Sequence, residues 1–223
     1  MNAALLEMPL TQILLTLACS VLVAELAGYA LHRLMHSDRF PAMSRAHLIH
    51  HLLIYGPNQP MRTAEYNDAT VGRASIGNVG LEWLVPSGLI LAICWGALWL
   101  LSVPLAYRLL SMLTLLAWPI FMFSYLHDRM HIQNFWMERA PVLKWWFRKA
   151  RRLHDIHHRS LNTHGRMDKN FGIGFFFFDR IFRTLAKRHC PFNWHGYRAA
   201  IRRYRLEHEQ DDDFTSFPSG FHV

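Results

Sequence analysis

The sequence predicts an all-α integral membrane protein: about three transmembrane helices, interfacial helices beside them, and a histidine-rich cap on the cytoplasmic side. Three observations carry that expectation. Hydrophobic residues fill 52% of the 223 positions and charged residues only 18%, against about 25% charged in ordinary soluble domains. Three separate segments stay apolar over the roughly 20 residues that a bilayer-spanning helix needs. Finally, most of the 15 histidines fall in short, regularly spaced clusters.

The first segment runs from Pro9 to Tyr29, "PLTQILLTLACSVLVAELAGY". It lacks a basic leader, and its apolar run exceeds the roughly 7–15 residues of a signal-peptide core, so it reads as a retained anchor. The second and third segments, Leu81–Leu101 and Leu105–Tyr125, are parted by little more than "SVP" at Ser102–Pro104, which makes them a tight hairpin. Pro86 and Pro119 should kink these helices, as membrane helices tolerate. No linker divides the chain, so residues 1–223 form one membrane domain with a core from about 25 to 185. Residues 206–223, ending "EQDDDFTSFPSGFHV", read as a loose acidic tail.

Cationic residues are distributed unevenly. None precedes Arg33; Arg33, Arg39, Arg45, Arg62 and Arg73 lie between the first two segments; Arg108 alone lies in the hairpin; all others follow Tyr125. The positive-inside rule then puts the first loop and the long tail in the cytoplasm. The formal charge of +8 is thus a topology and lipid-surface signal. No nucleic-acid-binding module accompanies it, and nucleic acid is not an expected partner. Cys19, Cys94 and Cys190 show no paired spacing, which argues against a disulfide framework or a cysteine metal site.

Two stretches after the third segment suit the headgroup region. "PVLKWWFRKARRL", Pro141–Leu153, mixes aromatic and cationic side chains, and "NFGIGFFFFDRIF", Asn170–Phe182, is rich in phenylalanine. The polar loop "IYGPNQPMRTAEYNDATVGR" is turn-rich and is a candidate lid or headgroup contact through Arg62, Tyr66, Asn67 and Asp68.

Ten histidines form four clusters. His32 and His36 give H-x-x-x-H; His47, His50 and His51 give H-x-x-H-H; His127 and His131 repeat the first pattern; His154, His157 and His158 repeat the second. The two half-sets flank the hairpin, and no histidine lies between His51 and His127. Residues three and four apart share a helix face, so each cluster is expected to aim all its imidazoles at one point. One such motif is ordinary surface chemistry; two alternating pairs on one side of a membrane point to metal. Ten nitrogens are too many for one ion, and two ions would take four or five each. Imidazole suits zinc, copper, iron and nickel alike.

At these residues the chain resembles the fatty acid hydroxylase/sterol desaturase superfamily of integral-membrane, histidine-box di-iron oxygenases, over about Glu25 to Leu185. The ending "HDIHH…KNFGIGFFFFDRIFRT" is similar to the family pattern at Asn170, Phe171, Gly172, Asp179, Arg180, Phe182 and Thr184, and departs from it where Phe178 replaces tryptophan and Arg183 replaces glycine. The resemblance implies two iron ions, with zinc a possible substitute in purified protein, and O2 as co-substrate. It also implies a lipid drawn from the bilayer and a separate electron-donor protein, since no electron-transfer module is fused here. The implied reaction is hydroxylation of an unactivated C–H bond; the alternatives are desaturation of a sterol-like or acyl lipid, or a non-enzymatic membrane metal-binding protein.

Metal-bound imidazoles usually donate their second N–H to a carboxylate or carbonyl. Asp128 and Asp155 directly follow candidate ligands and should each support a cluster other than the adjacent histidine's, because neighbouring helical residues diverge. Asp168 and Asn170 follow the last box, and His164 is a further candidate. Glu25, seven residues before His32 at the end of an apolar span, is an intramembrane carboxylate of the kind that marks function. Tyr29 and Tyr125 are candidates for contact with substrate. No catalytic residue beyond the metal centre is expected.

Overall fold

A computed structural model describes residues 9–57, 61–70, 72–74, 76 and 81–206. It is helical, with no strand among the described residues. The expected tail after Leu206, with His208 and His222, and residues 58–60 and 71 of the polar loop lie outside them.

Helix α1, Leu10–Met35, extends the first apolar segment by almost two turns, so that His32 belongs to the span and His36 caps it. Helix α2, Pro41–Ile49, opens on a proline at its first position, where the missing N–H costs nothing, and runs into a π-helical turn, His50–Ile54. Helix α3 spans Ala64–Thr70, and α4, Leu81–Leu100, accepts Pro86 in its early turns. Helix α5, Leu105–Pro119, continues through a π-helical stretch, Ile120–Leu126, into a short α6, His127–Arg129. Pro119 thus widens the third span rather than merely bending it: its ring displaces the preceding carbonyl and it offers no N–H. The cap is completed by α7, Lys144–Arg159, α8, Phe177–Ile181, and α9, Trp194–Tyr204.

Three helical stretches, Leu10–Met35, Leu81–Leu100 and Leu105–Arg129, are long and apolar enough to cross a membrane. Leu89, Ile93 and Trp99 of α4 are about 60% exposed, an arrangement that water would penalise and hydrocarbon would not. Helix α1 packs along α5. Gly28 lets α1 lie equally close to the π-helical stretch that continues α5, since a Cβ there would lie 2.0 Å from the Phe123 ring.

The two expected interfacial stretches divide differently. Helix α7 does expose Trp145, but Phe147, Ala150, Leu153, Ile156 and its three histidines are buried against the protein. In Asn170–Phe182 the first half, including Phe171 and Ile173, is core, and only Phe175, Phe177, Ile181 and Phe182 face outward among its large apolar side chains. The loop after the second box is no free lid: Tyr66 donates to the Ile54 carbonyl, Asn67 donates to the Tyr55 hydroxyl at 2.7 Å, and Arg62 bridges to Ile132.

Candidate metal centre

All ten clustered histidines are buried and converge at the ends of α1 and the third span, under α2 and α7. They separate into two groups of five: His32, His36, His47, His51 and His157, and then His50, His127, His131, His154 and His158. Within each group the five nitrogens lie within 4.8 Å of one another. The groups adjoin, with the His51 and His158 rings 3.9 Å apart.

The expectation that every cluster aims at a single point is corrected here. The i, i+4 pairs stay together, but each H-x-x-H-H box sends its middle histidine to the other group. On α7, at about 100° per residue, His158 lies roughly 40° to one side of His154 and His157 roughly 60° to the other. His157 and His158 therefore diverge by about 100° and serve different groups. The boxes stitch the two groups into one unit.

The nitrogens fit a cation. Nε2 of His36 lies 3.1 Å from Nε2 of both His47 and His157, and His51 Nε2 lies 3.0 Å from His47 Nε2. In the second group His154 Nε2 sits 3.0 and 3.1 Å from those of His131 and His158. Metal–nitrogen bonds of about 2.1 Å at right angles set neighbouring nitrogens about 3.0 Å apart, whereas a tetrahedron sets them about 3.4 Å apart. The Nε2 atoms of His32, His50 and His127 are buried without a protein partner, a costly state unless something fills the space between them. His32 and His157 each donate Nδ1–H to a backbone carbonyl at 2.6 Å, of Phe171 and Lys169 respectively. That fixes the tautomer and leaves Nε2 with its lone pair facing inward.

Several sequence-derived partners do other work. Glu25 is buried but accepts the indole N–H of Trp118 at 2.7 Å, tying α1 to α5 rather than bonding a histidine. Asp128 lies 3.8 Å from Nδ1 of His127, the adjacent residue it was expected to avoid, beyond hydrogen-bond reach. Asp155 faces Arg159 and His189, Asp168 pairs with Lys169, and His164 is exposed. Asn170 bonds the Leu153 carbonyl and both polar atoms of Ala186's backbone, so it positions α7 without touching a histidine. Tyr29 is buried against Phe171 and Phe182, with its hydroxyl 3.1 Å from Thr184 Oγ1. Tyr125 is 40% exposed beside Arg129.

Sequence reasoning missed the two carbonyl acceptors, which carry no side-chain signal. It also missed Tyr55, whose ring stacks 4.0 Å from His131 and whose phenol burial pushes up to about 12. Asp179 stood in the family motif without a role. It accepts N–H bonds from Phe171 and Gly172 and the Thr184 hydroxyl, holding the segment that supplies the Phe171 carbonyl. Arg183, where the family pattern has glycine, takes the left-handed conformation at φ 59°, which costs an L-residue roughly 1–2 kcal/mol.

A cavity of about 520 Å³ is lined by His47, His50 and His127 together with Trp83, Leu116, Ile120 and Phe123 of the spans, and Glu82 and Asp128 are its carboxylates. It joins the imidazoles to the surface that the apolar helices present.

Burial first, and then neighbouring imidazoles, hold His36, His47, His50, His51, His154 and His158 well below the ordinary histidine value of 6.5. In the metal-free protein the unfolded chain therefore binds more protons than the native one as pH falls below about 6.5, and native stability falls with pH in that window. Its melting temperature should be nearly flat above pH 7.5 and drop steeply from pH 6.5 to 5. A flat profile through that range would contradict the burial of these rings.

A model of the fatty acid hydroxylase family matches residues 17–184, most of the chain. The chain belongs to the fatty acid hydroxylase family. No curated protein and no solved structure matches it significantly. All four histidine clusters of this fatty acid hydroxylase family member fall inside the matched span, as do Phe171, Asp179 and Thr184.

Proposed function

We propose that this protein is a membrane-bound, O2-dependent lipid hydroxylase with one iron ion in each histidine group, its cap and tail on the cytoplasmic side. The observation that carries the reading is the cavity joining two five-imidazole groups to the membrane-facing helices. Two iron ions bound by these groups would supply O2 activation and the removal of hydrogen from an unactivated C–H bond. The chain's own contribution is positional. Trp83, Phe123, Leu116 and Ile120 offer an apolar wall of the cavity for an alkyl or ring body. The ten imidazoles are themselves buried, and the Phe171 and Lys169 carbonyls hold two of them in orientation.

Desaturation would use the same parts and differ in the fate of the substrate. A storage or transport role is disfavoured, because neither needs a cavity leading sideways from the nitrogens to the bilayer face. Lipid extracts from cells with and without the protein, grown under labelled O2, should show a lipid that gains one labelled oxygen. Loss of two hydrogens would replace hydroxylation by desaturation, and unchanged lipids with iron-loaded, reducible protein would refute both.

The passage can be closed without touching a histidine. Ser87 lines it from α4, so Ser87→Trp should lower product formation at least about tenfold, the cost of obstructed positioning, while metal per chain stays unchanged. Loss of metal together with activity would instead mean a folding defect.

A further inference from the structure

The histidine centre has a second opening, and we propose that it is the docking site of a small acidic protein carrying one electron at a time; the proposal rests on the oxygenase reading. This cavity, about 340 Å³, is lined by His131 and His154 of the second group and by Arg148, Arg151, Arg152 and Arg159. No residue of the three apolar spans lines it, whereas the passage of the preceding section is built largely from them. One centre thus borders a cavity built largely from the spans, with Glu82 and Asp128 as its carboxylates, and a second in which arginines outnumber carboxylates four to two.

The arginines fall at i, i+3, i+4 and i+11 of α7 and form one stripe beside the histidine face. Glu138 and Asp155 also line the cavity: Glu138 pairs with Arg151, and Asp155 lies 3.8 Å from Arg159. Arg148 and Arg152 are exposed, and neither has a carboxylate partner among the described residues. Arg152 also borders a neighbouring cavity with Lys149, Arg180 and Lys187, which extends the positive face.

The stoichiometry requires an external reductant. Hydroxylation balances as RH + O2 + 2 electrons + 2 protons giving ROH + H2O, so a carrier of one electron has to arrive reduced, be oxidised and leave twice per turnover. Charge complementarity speeds encounter without a large buried interface and lets the spent carrier depart. Anionic lipid could neutralise the same arginines, but it gives no reason for an arginine-rich cavity to be lined by two histidines of the centre.

The test uses the full chain in nanodiscs of neutral lipid and an acidic plant-type [2Fe–2S] ferredoxin as probe. Arg148→Glu/Arg152→Glu should weaken ferredoxin binding at least about tenfold and flatten its salt dependence. Arg148→Gln/Arg152→Gln should do so less, and should serve if the charge reversal misfolds. Ferredoxin-driven reduction of the ferric centre should slow in proportion, while dithionite reduction and metal content stay at wild-type levels. The same charge change on α9, Arg198→Glu/Arg202→Glu, should leave binding intact. The proposal is overturned if ferredoxin does not bind the wild type, if the α7 variants bind as well as wild type, or if the α9 control loses as much. It is also overturned if the α7 variants lose only attachment to anionic vesicles. A wild-type centre that dithionite cannot reduce would sink the oxygenase reading instead, and the binding measurements would still decide the docking face.

Discussion

Replacing His157 by alanine should abolish lipid product formation, by more than the roughly 100-fold that loss of an outer contact to a metal ligand costs, and leave about one metal ion per chain instead of two. His157 is the only residue of α7 in the first group; its helix neighbours His154 and His158 belong to the second. Its Nδ1–H is fixed by the Lys169 carbonyl and its Nε2 stands 3.1 Å from that of His36. Alanine removes one of five nitrogens and leaves the Lys169 carbonyl without that donor. It also cuts the link by which α7 reaches the end of α1, so the first group should empty while the second stays filled. Elemental analysis of purified protein, with product assay in the same preparation, reads both effects. His164→Ala, at an exposed histidine six residues after the last box, should change neither. Arg152→Ala should retain both ions and some turnover, because its side chain contacts the Lys187 carbonyl and no imidazole. Two ions retained by His157→Ala would mean that the grouping of the nitrogens is wrong.

The same residue shows where the sequence stops being legible. That His157 belongs with the other nine follows from spacing and from the empty stretch between His51 and His127, both local properties of the chain. That it leaves its own box does not, because the split depends on how α7 lies across α1 and α2. The three apolar spans were equally legible, since hydropathy is summed along one helix. The carboxylates were less so. Asp155 follows His154 by one residue, hence by about 100° around the axis, which puts it among the arginines. Glu25 was well placed toward His32 along α1, but Trp118 of the neighbouring helix reaches it first. For His32 and His157 the acceptors are backbone carbonyls, and any residue type would supply those.

Asp179→Ala should destabilise the protein by roughly 3–5 kcal/mol, as when one partner of a buried, charge-assisted network is removed, and should lower metal occupancy of the first group although Asp179 touches no histidine. Burial pushes this carboxyl above its ordinary value, and bonds from Thr184, Gly172 and Phe171 offset part of that. Oδ1 accepts the Phe171 N–H at 2.7 Å and the Thr184 hydroxyl at 2.7 Å; Oδ2 accepts the Gly172 N–H at 2.8 Å. Since the Thr184 hydroxyl is donated to Asp179, the Tyr29 hydroxyl must donate to Thr184, which carries the network back to α1. Gly172 belongs to the same device: a Cβ there would stand 2.4 Å from the Phe175 carbonyl and 2.9 Å from the Asp179 carboxylate. The purpose of the turn is the Phe171 carbonyl, which holds His32 by its Nδ1–H. With alanine, two buried N–H groups and a hydroxyl lose their acceptor, the turn relaxes, and His32 loses its orientation. Asp179→Asn preserves the volume but aims an NH2 at groups that are themselves donors, so it should recover little of the loss. Thr184→Val, which removes one hydroxyl and keeps the carboxylate on both N–H groups, should be the mildest of the three. Thermal unfolding of the metal-free variants separates the stability cost from the metal effect. If Asp179→Ala melts like wild type yet still loses one ion, the carboxylate acts on His32 by a route other than this turn.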